Sequence, residues 1–225
     1  MARSPRRIIG GYVYHVLNRA VSRRTLFEHD RDYAAFEKVL SEAHQRVPLR
    51  VVAYTVMPNH WHFVVWPCPQ ADSQVSDFFG WLTLTHSQRW HAHRGTSGTG
   101  HVYQGRFKSF PVQGDEHLLQ VLRYVERNPL RAKLVSRAEK WRWGSLFRRA
   151  HGTVDQRQLL TDSPVNCGAD WTRQVNEPQT DAELAVLRAS VARERPFGGA
   201  VWRALLRRRT GRSDPLRVEP RPPVA

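Results

Sequence analysis

The chain has 225 residues, 40% of them hydrophobic, and carries 35 Lys and Arg against 20 Asp and Glu, a formal net charge of +15. That is enough apolar material for one core of ordinary size with a smaller appendage, and so large a positive charge selects polyanions as partners while saying little about fold. A transmembrane helix is excluded, because no run approaches the roughly 20 apolar residues that a membrane span requires. Eight tryptophans and eleven histidines add stacking surfaces. Basic, aromatic-rich composition suits single-stranded nucleic acid, where bases stack on rings and the backbone follows a positive groove. It also describes a generic basic protein with solvated charges. The two cysteines, Cys68 and Cys167, match no metal-ligand spacing and read as free thiols of a reducing cytoplasm. The N-terminus is basic and lacks the apolar stretch of a secretion signal.

Residues 12–17 read as a first strand. Asp30 caps a helix whose Tyr33, Phe36, Leu40 and Ala43 form one apolar stripe, and Pro48 ends it. Residues 51–56 make a second strand, 57–59 a tight connection and 60–66 a third strand. A second amphipathic helix fits 76–93, with Phe79, Leu82 and His86 on one side; His86, His91 and His93 read as helix-surface residues. A Gly, Ser and Thr-rich loop follows at 95–100. Residues 102–112 look like a fourth strand interrupted at Gly105, and Asp115 caps a third helix running to Asn128 before Pro129.

The order of the first six elements is strand, helix, strand, strand, helix, strand. That is the split βαβ, ferredoxin-like pattern: an α+β sandwich with helices on one face of an antiparallel sheet. Residues 1–150 form this unit. The pattern weakens over 151–225, a C-terminal extension with helical stretches at 181–193 and 199–209. It closes on Arg207-Arg208-Arg209, Arg212 and a Pro-rich, basic tail at 215–223 with little fixed structure.

Two segments carry chemistry. In Met57-Pro58-Asn59-His60-Trp61-His62-Phe63-Val64-Val65 the histidines are two apart on a strand, so both rings point to one face while Trp61, Phe63 and Val65 point to the other. Two imidazoles on a pinned strand leave coordination positions open for a phosphate oxygen and a third protein ligand. Such a donor set suits Mg²⁺ or Mn²⁺ at a phosphoryl-transfer site, and binds Zn²⁺ too. On the third helix His117, Val121, Tyr124 and Asn128 share a stripe, with Tyr124 and Asn128 one turn apart. The Asn128 carbonyl oxygen is a candidate third metal ligand and Tyr124 a candidate nucleophile. A phenol has a pKa near 10 in water, and a nearby cation favours its ionised form. Each feature also has an ordinary explanation: polar residues on a wet sheet face, a tyrosine packed on the sheet, an asparagine ending a helix.

Four ordered motifs shift that balance. Tyr14-His15-Val16-Leu17-Asn18-Arg19, Met57-Pro58-Asn59-His60-Trp61-His62, Gly100-His101-Val102-Tyr103-Gln104-Gly105-Arg106-Phe107 and Arg123-Tyr124-Val125-Glu126-Arg127-Asn128-Pro129, with Trp141-Arg142-Trp143-Gly144-Ser145 after them, resemble the REP-associated tyrosine transposases. These are relatives of the IS200-like, HUH-class single-strand DNA transposases. The resemblance covers roughly 8–150 and, more loosely, Arg195-Pro196-Phe197-Gly198. It implies that His60 and His62 are metal ligands, that Asn128 is the polar metal-site residue and that Tyr124 is the catalytic tyrosine. It further implies cutting of single-stranded or hairpin DNA through a 5′-phosphotyrosine, with a free 3′-hydroxyl that later rejoins strands. The REP-associated type favours a monomer over a dimer that exchanges the tyrosine helix, acting on DNA in the bacterial cytoplasm at the nucleoid. Arg106 and Lys108, in a basic strand near the site, are expected to face phosphates. Arg207, Arg208, Arg209 and Arg212 are expected to add non-specific affinity. The competing readings are a domesticated hairpin-binding protein that no longer cuts, and a rolling-circle or mobilisation nuclease.

Overall fold

The structure, a computed structural model, describes residues 8–210. Four strands, β1 (Val13–Arg19), β2 (Arg50–Met57), β3 (His60–Trp66) and β4 (Lys108–Val112), form one antiparallel sheet in the order β2-β3-β1-β4. Helix α1 (Asp30–Arg46) links β1 to β2, and α2 (Gln74–Arg94) links β3 to β4. This is the expected split βαβ topology, with β1 and β3 at the centre.

Strand alternation sorts the side chains into two cores. Tyr14, Val16, Tyr54, Val56, Trp61, Phe63 and Val65 cluster with Phe36 and Leu40 of α1 and Phe79 and Leu82 of α2. Val13, Leu17, Val52, Ala53, Val64, Phe110 and Val112 belong to the second core, on the other face. Val52 and Ala53 are consecutive yet share a face, because the β2–β3 register shifts between Val51 and Ala53 as a bulge.

The second core is closed by α3 (Glu116–Glu126) through Leu118, Val121, Leu122, Tyr124 and Val125. The two helices of the split βαβ unit share one face as expected, and α3 covers the other. The central strands are apolar at consecutive positions, not alternate ones, so both faces need a cover. Asp115 caps α3 as expected, accepting the His117 backbone N–H at 2.9 Å. At α1 the capping carboxylate is Asp32, not Asp30; it accepts the backbone N–H groups of Glu28 and His29.

The third helix does not stop at Pro129. A break at Arg127 is followed by another turn, α4 (Asn128–Arg131), with Pro129 in its first positions, where the missing N–H is harmless. The fourth strand is shorter than expected. Tyr103 leaves it to form a bridge with Ala20, and its hydroxyl joins a buried chain. Trp61 Nε1 donates to Tyr103 Oη at 3.1 Å, and Tyr103 Oη donates to His86 Nδ1 at 2.8 Å. His86 is thus a core residue, not a surface one.

The remaining helices are α5 (Ser145–His151), α6 (Val154–Gln158), α7 (Trp171–Asn176), α8 (Asp181–Arg193) and α9 (Ala200–Thr210). Leu184, Leu187 and Phe197 enter the core beneath α3. The same segment covers both sheet edges. Along β2, Val56 N–H donates to Trp143 O and Thr161 N–H to Val51 O, each at 2.8 Å. Along β4, Phe197 N–H donates to Pro111 O at 3.0 Å and Gln113 N–H to Phe197 O at 2.9 Å. Edges paired in this way offer no template for another chain. Arg212 and residues 215–223 lie outside the described residues.

Candidate functional site

The antiparallel register sets Leu17 opposite His62 and Arg19 opposite His60. On that face the diagonal neighbour of His62 is His15, and cross-strand diagonals lie within reach of ring side chains. His15 Nε2 and His62 Nδ1 are 2.9 Å apart and both rings are buried. His60 Nδ1 lies 2.6 Å from Asn59 Oδ1, and Asn59 Nδ2 donates to Arg23 O at 3.1 Å. That second bond fixes the amide orientation, so His60 Nδ1 carries the proton and Nε2 is a bare lone pair. His62 is held at Nδ1 by His15 Nε2, so its Nε2 is the ring nitrogen left for a ligand. Partners that hold the distal ring nitrogen are how proteins orient metal-ligating histidines.

The imidazoles are neutral. Burial holds His15 at about 3. Burial, then Arg19 and Arg131, holds His60 at about 4. Burial and the neighbouring His60, His15, Arg131 and Arg19 push His62 well below its ordinary value. Protons therefore do not compete for the lone pairs at neutral pH. Two neutral imidazoles on one strand face, each held at Nδ1, fit a divalent cation.

Tyr124, on α3, is buried on this same face. Its ring centroid lies 5.8 Å from that of His62 and 6.2 Å from that of His15. No second copy is needed to bring phenol and imidazoles together. Arg131 stacks on the Tyr124 ring, with Cζ 4.2 Å from the centroid. Its Nη2 donates to Asn128 Oδ1 at 2.7 Å, so the oxygen expected to be a third metal ligand is engaged by a guanidinium. Asn128 Nδ2 and Arg131 Nη1 are buried with no hydrogen-bond partner among the described residues.

The site is strongly cationic. Arg19 and Arg131 act on the histidines, and Arg188 of α8 acts on Arg131; no carboxylate is among the groups that shift the site histidines. Of the other expected DNA contacts, Arg106 is exposed and Lys108 donates to Ala192 O at 3.1 Å. Arg207 is half-buried, Arg208 is exposed, and Arg209 is exposed with its guanidinium on the Tyr12 hydroxyl at 2.9 Å. Arg106, Lys108 and the α9 arginines are not among the groups acting on the histidines. A cluster of Asp115, Glu116 and His117 has metal-type side chains within ligand distance, but Asp115 Oδ1 is already used in capping α3. Sequence reasoning gave no role to His15, Arg19, Asn59, Arg131 or Arg188. His15 and Arg19 sit at alternate positions of β1, the one signal that they share a face.

Fold and site define a class: a split βαβ protein with paired strand histidines packed beside a helix tyrosine in cationic surroundings. The chain belongs to the family described as "Transposase IS200 like", which matches residues 9–128, and membership places it among the transposases. Among solved structures it is similar to a REP-associated tyrosine transposase bound to a REP hairpin. That match has 17% identity and a TM-score of 0.55, and covers 74% of this chain and 92% of the other. A second match is a putative transposase from Deinococcus radiodurans R1, with 19% identity and a TM-score of 0.38, covering 56% of this chain and 96% of the other. Comparison with curated protein sequences gave no match. No helix among the described residues is long and apolar enough to cross a membrane.

Proposed function

We propose that the chain is a tyrosine transposase of the REP-associated type, cutting and rejoining single-stranded DNA at a hairpin through Tyr124. The observation that carries this reading is the Tyr124 ring set 5.8 Å from His62 within one chain. Tyr124 Oη attacks the phosphorus, forming a P–O bond; the bond to the 3′ oxygen breaks. The phenol proton goes to solvent, and the departing 3′ oxygen takes one up. One strand end then carries a 5′-phosphotyrosine and the other a 3′-hydroxyl, and attack by such a hydroxyl restores a phosphodiester. One phosphodiester is exchanged for another, so no nucleotide cofactor is consumed.

His60 and His62 hold the ion, with Asn128 as third protein ligand. Mg²⁺ or Mn²⁺ bound there supplies Lewis-acid polarisation of a phosphoryl oxygen. Arg19, Arg131 and Arg188 draw the phosphate backbone in, and the wider basic surface, including Arg106, Lys108, Arg207, Arg208 and Arg209, adds affinity that salt weakens. The Lys108 ammonium has donors to spare beyond its bond to Ala192. The hairpin substrate is drawn from the similarity to the REP-hairpin complex and from the basic, aromatic-rich composition. The protein acts as a monomer on DNA in the bacterial cytoplasm. Its tyrosine helix is held by its own C-terminal segment: Arg123 donates to Gln174 O and Glu177 O, and Arg127 to Val175 O and Asn176 O.

Tyr124→Phe tests the reading. With Mn²⁺ and a hairpin oligonucleotide the parent forms a covalent protein–DNA adduct that survives a denaturing gel, and the variant binds the same DNA without forming it. Undiminished cutting by the variant removes Tyr124 from the reaction. No adduct from the parent across suitable hairpins points to the non-cutting binder.

A further inference from the structure

We propose that Arg131 couples metal binding to DNA binding. Without DNA its guanidinium occupies the Asn128 oxygen and covers the Tyr124 ring; a substrate phosphate draws it off and frees that oxygen for the ion. The inference rests on the reading of the site given above.

Asn128 Oδ1 has a single partner, Arg131 Nη2 at 2.7 Å. The amide cannot be turned round to free it, since its NH₂ group would then face a guanidinium donor. Arg131 takes one lone pair of the Asn128 oxygen and sets a full positive charge 2.7 Å from it, which opposes a cation approaching the other. Beyond its interaction with Tyr124, the Arg131 guanidinium has a buried Nη1 with no acceptor among the described residues, and Asn128 Nδ2 is a second such donor. Buried donors of this kind are costly, and an arriving acceptor relieves the cost. A phosphate oxygen is an acceptor that suits a guanidinium fork better than a single amide oxygen. Charge leads to the same conclusion. Arg19 and Arg131 act on the neutral imidazoles with no carboxylate opposing them, and Arg188 acts on Arg131, so a bare divalent cation meets repulsion that an arriving phosphate cancels. A phosphate that helps the ion is, by reciprocity, held more tightly when the ion is present.

The test is an equilibrium Mn²⁺ titration of the full chain, followed by electron paramagnetic resonance, with and without a hairpin oligonucleotide. Tyr124→Phe is the background, so that no cleavage occurs while the ring under Arg131 is kept. The parent should bind Mn²⁺ at least about tenfold more tightly with DNA than without. Adding Arg131→Met, which keeps an apolar stem on the ring and loses the fork, should tighten Mn²⁺ binding in the absence of DNA and abolish the difference. A structural role alone would not produce that gain in affinity. Equal Mn²⁺ affinity with and without hairpin in the parent overturns the proposal even if the variant does not fold, and so does Arg131→Met showing unchanged affinity without DNA. His60→Ala separates the two readings. If Mn²⁺ binding with DNA persists there, the ion is not at the histidine pair and the nuclease site itself is wrong. If it is lost but Arg131→Met changes nothing, only the role of Arg131 fails.

Discussion

Acid should unfold this protein well before its carboxylates titrate. Four imidazoles are buried or nearly so and are held below their ordinary value: His15 to about 3, His60 and His86 to about 4, and His62 well below. Burial is the leading cause in each. Unfolded, all four titrate near 6.5. Depression in the folded state means that the unfolded chain binds more protons below that value. Stability is therefore intact above about pH 6.5 and falls as pH drops toward the folded values. At pH 5 a group whose folded value is about 3 or 4 costs about 2 kcal/mol, so His15, His60 and His86 alone take a large share of a total stability of about 5–15 kcal/mol, and His62 adds in the same direction. The urea midpoint, followed by tryptophan fluorescence from pH 8 to pH 5, should collapse over that window. His86→Gln, remote from the metal pair, removes one of the four titrations and should reduce the slope between pH 6 and 5 by about 1.4 kcal/mol per unit. In the native protein, protonating His86 Nδ1 makes it a donor toward Tyr103 Oη, which already accepts from Trp61, so the phenol proton loses its buried acceptor. A urea midpoint that stays level between pH 7 and pH 5 would refute the argument.

Two further outcomes concern the metal. His60→Ala, His62→Ala and added EDTA should each stop hairpin cleavage while DNA binding, read by gel shift, survives; cutting that continues in chelator contradicts the histidine pair. Asn59→Ala removes the acceptor that keeps the His60 proton on Nδ1 and should weaken Mn²⁺ binding by about 10–100-fold, measured by titration in the presence of hairpin. Unchanged affinity would show that the ring keeps its tautomer without that contact.

The sheet was legible because its signals are local. Two-residue alternation around His60, Trp61 and His62 and the turn at Pro58-Asn59 determine β3 without any tertiary knowledge, and β3 falls on the expected residues. His15 was not assignable, because its meeting with His62 depends on the β1–β3 register, a non-local pairing. Arg131 was hidden by a local rule applied too strictly. Proline ends many helices, but at the start of a new turn it is tolerated, and that turn brings Arg131 against Tyr124. The placement of α3 was readable in principle: Val51 to Val56 and Phe63 to Val65 leave no polar face for solvent, which requires a layer on each side.

The long C-terminal segment explains how one chain can complete the site. A tyrosine on a loosely attached helix would reach its histidines only part of the time, and chemistry at a phosphate tolerates little misplacement. Here α3 is tied down on the side away from the sheet. Arg123 and Arg127 hold the carbonyls at the end of α7, while the buried Glu126 carboxylate accepts from Ser145 Oγ at 2.7 Å and Trp171 Nε1 at 2.8 Å. These partners follow α3 in the chain, as do Arg188, which acts on Arg131, and the strand-like contacts that close both sheet edges. The extension thus anchors the tyrosine helix against the sheet, and the turn that follows that helix carries Arg131 onto Tyr124 and Asn128.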